Sequence, residues 1–109
     1  MLNFDKDTYK ITMVRKDTGD LTVALENYLL DTGDEVVFTV NTGYDLENAV
    51  IQKRVNEFQN HSALVHLSVE DTDLEPGEYL YDVQINTADG RVDTVLGPAK
   101  FKIVGGITF

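Results

Sequence analysis

The stretch Gly77-Glu78-Tyr79-Leu80-Tyr81-Asp82-Val83-Gln84-Ile85-Asn86, closed by Thr87-Ala88-Asp89-Gly90, decides the fold class. Tyr79, Tyr81, Val83 and Ile85 alternate with Leu80, Asp82, Gln84 and Asn86. That is the period-two pattern of a strand with one face in a core. Asn86 to Gly90 is a hairpin turn sequence, because Asp-Gly supplies the left-handed backbone a tight turn needs. Tyr79 and Tyr81 share parity with Val83 and Ile85, so both are read as core, with a hydroxyl returning to a backbone group as in the tyrosine corner of sandwich folds.

The same alternation recurs outward in both directions. Tyr9, Ile11 and Met13 form one run, and Leu21, Val23 and Leu25 a second. Val36, Phe38 and Val40 form a third, and Ala63, Val65, Leu67 and Val69 a fourth. The residues are β-branched or aromatic, as a pleated surface favours. Turn chemistry separates the runs. Asp17-Thr18-Gly19-Asp20 and Asp31-Thr32-Gly33-Asp34 repeat four letters, each offering a glycine for positive φ. The spacing does not continue, so it marks turns and not a solenoid. Gly97-Pro98 is expected to break or bulge the last strand, since proline has no N–H to donate. Residues 44–58 fit two patterns. Leu46, Ala49, Val50 and Val55 share a helix face, whereas Ala49, Ile51, Lys53 and Val55 alternate as a strand. The reading taken is a loop and then a strand at about 48–55. The expectation is one all-β domain over residues 1–109: an antiparallel immunoglobulin-like β-sandwich of about seven strands.

Composition bounds function. The chain has 109 residues, with 19 acids against 9 bases and a net charge of -10. That charge repels phosphate and anionic headgroups, so neither nucleic acid nor a membrane surface is expected as a partner. No cysteine is present, which excludes disulfide scaffolds, thiolate metal sites and cysteine nucleophiles. Met1 to Asp7 has no basic start and no apolar run, so no signal peptide is expected and synthesis is placed in the cytoplasm.

No constellation carries chemistry, and no catalytic, cofactor-binding or metal-ligating residue is assigned; the chain is read as no enzyme. His61 and His66 are five apart, on opposite faces of a strand, and His66 falls on the outer face. Ser62 and Ser68 are the only serines, and neither sits in a nucleophile elbow. Asp71, Asp73 and Glu75 have the alternate spacing of a calcium loop. Pro76 stands where such a loop needs glycine, and Asp82 lies in a strand where the bidentate Glu belongs. The segment 70–78 is therefore read as a solvated turn in which Asp71 or Thr72 caps a helical turn. Weak calcium binding there is left open. Gly105-Gly106-Ile107-Thr108-Phe109 has two readings: a frayed terminus, or a short strand that pairs with another subunit.

Leu74-Glu75-Pro76-Gly77-Glu78-Tyr79-Leu80-Tyr81-Asp82-Val83-Gln84, Asp89-Gly90, Thr94-Val95-Leu96-Gly97 and Phe101-Lys102-Ile103 resemble small bacteriophage or prophage structural proteins. Val36 to Val40, Ile51-Gln52-Lys53 and Asp71-Thr72 are similar to the same pattern. So is the flavour of the N-terminal domain of phage baseplate upper proteins. The resemblance covers roughly residues 35–104. It implies an immunoglobulin-like sandwich used in virion or tail assembly in repeated copies, partnered by other phage structural proteins or further copies of itself. It offers no catalytic residue to carry over. The sequence stops just after the last of these strands, without a receptor-binding or fibre region, so the expectation is a small tail, baseplate, adaptor or decoration-type subunit. The alternative is a stand-alone immunoglobulin-like module that binds carbohydrate or protein. It needs an exposed aromatic patch among Tyr9, Tyr28, Tyr44, Tyr79 and Tyr81, with Tyr44 the one expected outside the core.

Overall fold

The protein is described by a computed structural model that covers residues 2–25, 33–42, 49–59 and 61–106. These residues contain β-strands and turns and no helix. The strands are β1 (Asn3–Phe4), β2 (Ile11–Val14), β3 (Gly19–Ala24), β4 (Glu35–Asn41), β5 (Ile51–Val55), β6 (Ser62–Leu67), β7 (Gly77–Asn86) and β8 (Val92–Val104). They form a six-stranded sheet in the order β1-β2-β8-β7-β4-β5 and a two-stranded sheet, β3-β6.

One face of each sheet feeds a common core. Ile11 and Met13 of β2, Leu21 and Val23 of β3, Val36, Phe38 and Val40 of β4, and Ala63, Val65 and Leu67 of β6 are buried in it. From β7 and β8 come Tyr81, Val83, Ile85, Phe101 and Ile103. Phe38, Tyr81 and Phe101 meet at its centre. Their ring centroids are 5.6, 6.2 and 6.4 Å apart, in the tilted and edge-on geometries that aromatic quadrupoles favour. The Tyr81 hydroxyl donates to the carbonyl of Tyr9, so its one polar atom is satisfied in the interior.

One feature corrects the wholly antiparallel expectation. The described residues form eight strands, and β2 runs parallel to β8, from Ile11 opposite Phe101 to Val14 opposite Val104. A parallel pair needs a long crossover. Here the chain between β2 and β8 supplies it, so the pairing leaves no local signal. The other pairs are antiparallel.

The hairpin between β7 and β8 forms where its turn sequence lies. Gly90 has φ of 94°, and the Thr87 N–H donates to the Arg91 carbonyl at 2.9 Å. Gly97 and Pro98 bulge β8. Tyr81 opposes Ala99 and Val83 opposes Leu96, so Asp82 faces both residues between them. Gly97 is required there twice over. Its φ is 88°, and a Cβ would stand 2.6 Å from the Tyr81 carbonyl oxygen.

Other local readings shift. Tyr9 does not extend β2. It has φ of 61° and is exposed, because Asp5 organises a turn before the strand. The Asp7 N–H donates to the Asp5 carboxylate at 2.9 Å, and the Tyr9 N–H to the Asp5 carbonyl at 2.7 Å. Val69 is likewise exposed, since β6 ends at Leu67 and the chain turns. Positive φ before β3 falls on Lys16, at 67°, and not on Gly19. Gly19 is needed for space: a Cβ there would stand 2.6 Å from Met13 Cε and 2.8 Å from Leu2 Cβ. The ambiguous stretch does contain a strand, Ile51–Val55, while residues 43–48, including Tyr44 and Leu46, lie outside the described residues.

Candidate interaction surface

Among the described residues β3 pairs only with β6. Its hydrogen-bonding parity says which peptide groups are left over. The Leu25 N–H donates to the His61 carbonyl at 2.7 Å, in the same register that sets Ala24 opposite Ser62 and Thr22 opposite Leu64. Hydrogen-bonded and open pairs alternate along an antiparallel ladder. Leu25, Val23, Leu21 and Gly19 therefore bond to β6. The N–H and C=O groups of Asp20, Thr22 and Ala24 point the other way, to an edge that no strand among the described residues pairs.

Among the described residues β8 presents a second unpaired stretch of ladder beside it. The Thr87–Arg91 bond fixes the parity of β7 and β8. By alternation, Ile85 bonds to Asp93, whereas Val92 and Thr94 turn their peptide groups away from β7. β2 covers β8 only from Phe101 onward. The two edges flank one groove of about 400 Å³, whose lining includes Leu2, Phe4, Leu21, Val23, Val95 and Leu96. Its floor is mainly apolar. Asp20 stands on its rim, 2.7 Å from His66 Nδ1 across the β3–β6 pair.

Below β3, the segment after β6 is tied down by side-chain chemistry. The Ser68 N–H donates to Asp71 Oδ2 at 2.8 Å, and the Asp71 N–H donates to Ser68 Oγ at 3.2 Å. This is a reciprocal capping box. The cap is thus Ser68, with Asp71 as its partner three residues on, and neither Asp71 nor Thr72 is the capping residue. Thr72 is fully buried and its hydroxyl donates to the Asp17 carbonyl at 2.7 Å, pinning the turn that leads into β3. Partial burial works to raise the Asp71 carboxyl, but the Lys53 ammonium at 2.7 Å and the Ser68 N–H outweigh it, and its pKa is lowered.

His61 is exposed in a turn with φ of 59°. His66 is on the outer face of β6, as its parity indicates. Ser62 donates to the Gln59 carbonyl at 2.7 Å, and Ser68 is engaged in the capping box. Asp71 bonds Lys53, and Asp73 bonds Arg15 at 2.9 Å, so the alternate carboxylates turn to separate cations. Among the described residues no three His, Asp or Glu side chains gather at a point that suits a metal ion. Tyr81 is in the core, while Tyr79 is half-buried against it and donates to the Glu75 carbonyl at 2.6 Å. Tyr9 is 49% exposed and stacks on Phe4 at 6.1 Å. Tyr28 and the tail residues Ile107 to Phe109 lie outside the described residues. Asp82 sits over a hollow of about 100 Å³ with Thr39, Leu80 and Pro98, and burial raises its carboxyl.

The groove was not marked by sequence. Leu21 and Val23 read as core, and Val95 and Leu96 as strand, but which edges stay open depends on non-local pairing. No described helix is long and apolar enough to cross a membrane. In comparisons with protein-family models and with curated proteins, the chain matches none.

Proposed function

We propose that this chain is a non-catalytic structural or assembly subunit of a bacteriophage or prophage particle, of the tail, baseplate or decoration type, acting through protein–protein contacts. The observation that carries the reading is the open β3 edge beside an apolar groove. An unpaired edge is a template for a neighbouring strand, and soluble proteins normally blunt it. The resemblance of residues 35–104 to phage structural proteins points the same way. The finer fold proposed is an immunoglobulin-like sandwich. In its favour, Tyr79 lies near the start of β7 and bonds a carbonyl four residues upstream, as a tyrosine corner does.

The test is mass spectrometry of particles purified after prophage induction in the source strain. Co-purification at the stoichiometry of a tail or head component supports the reading. Particles that assemble with full infectivity and without the protein overturn it.

One observation favours a second reading, a binding module for carbohydrate or protein: the exposed Phe4–Tyr9 stack. Titration with a panel of oligosaccharides, repeated on Tyr9→Ala, separates the two. Saturable binding lost in the variant favours the module.

A further inference from the structure

We propose that the groove between β3 and the first half of β8 receives an extended, cationic strand of a partner protein, which adds to the β3 edge. This rests on the assembly reading and names the partner's chemistry. Asp20, Thr22 and Ala24 turn three N–H groups and three carbonyls to the groove, enough for a partner segment of about five residues at ~3.3 Å each. Main-chain bonds supply affinity, and alternate side chains supply specificity.

The pleat then sorts the partner's residues. Those level with Leu21 and Val23 point to the floor made by Leu2, Val95 and Leu96, and must be apolar. Those level with Asp20 and Thr22 point outward, where a cation opposite Asp20 forms a favourable cross-strand pair. The chain's net charge of -10 attracts such a segment from a distance. A second copy carries the same net charge, which favours a basic partner over this chain itself as the occupant.

The probe is a fluorescently labelled octapeptide of alternating Val and Lys, titrated by anisotropy at low salt against the whole chain. A Val-Glu octapeptide and an order-scrambled Val-Lys peptide serve as controls. Thr22→Pro deletes one edge N–H while leaving the β6 ladder intact, as proline is tolerated only on such edges. Asp20→Lys reverses the rim charge without touching the backbone, so it carries the test if the proline variant does not fold. The expected result is saturable binding of the alternating Val-Lys peptide, lost in Thr22→Pro and weakened about tenfold in Asp20→Lys. Absence of binding, equal binding of the Glu or scrambled peptide, or binding unaffected by both variants overturns the proposal. Self-association of the chain that Thr22→Pro abolishes also overturns it, in favour of a second copy. None of these failures alters particle stoichiometry, which tests the assembly reading separately.

Discussion

Tyr81→Phe removes one oxygen from the centre of the core and is expected to change sign with pH. Tyr81 is 2% exposed, and its hydroxyl donates to the Tyr9 carbonyl. At neutral pH the variant loses that bond and is less stable by about 1 kcal/mol. Burial pushes the Tyr81 phenol up from 10.0 to about 12. The unfolded chain therefore releases this proton first. Between those values it binds fewer protons than the folded chain, so stability falls as pH rises. By pH 11 the loss from this one group is about 1.4 kcal/mol, and above pH 12 it approaches ~2.7 kcal/mol. Phenylalanine has no proton to lose. Urea unfolding of both proteins at pH 7, 9, 10 and 11 should show the variant's deficit shrinking to nothing near pH 11. Other titrating groups are common to both proteins and cancel in the difference. A deficit that stays constant across this range, or a variant already more stable at pH 7, refutes the reasoning.

Two further substitutions probe the turns that shape the edge. Gly97→Ala places a Cβ 2.6 Å from a backbone carbonyl at φ of 88°, and should cost about 2 kcal/mol or more in chemical denaturation; a change below about 0.5 kcal/mol contradicts the bulge geometry. The Asp71 pKa is lowered in the folded chain, so its stabilisation is present above the ordinary carboxylate value of 3.8 and fades as pH falls through the folded value. Asp71→Asn should flatten that part of the acid limb in thermal melts from pH 5 to pH 2, and an unchanged limb counts against the Lys53 and Ser68 contacts.

What was legible in sequence is what depends on parity. Leu21, Val23, Phe38, Val65 and Val83 are buried because alternation is a local property of an extended chain. The β7–β8 turn and the Gly97-Pro98 bulge were legible because glycine and proline restrict φ directly. Tyr9 and Val69 were misplaced for one shared reason. Alternation continues past the point where a side chain captures the backbone, Asp5 in one case and Ser68 with Asp71 in the other. The β2–β8 pairing was hidden because it joins the two ends of the described chain, and period-two patterning carries no neighbour information. The open edge was hidden with it.

Amide hydrogen exchange along β3 tests the open edge most directly. In the free protein Asp20, Thr22 and Ala24 are expected to exchange fast while Leu21 and Val23, bonded to β6, are protected. Equal protection at all five positions means that the edge is already paired, and it contradicts both the interface and the strand-addition proposal.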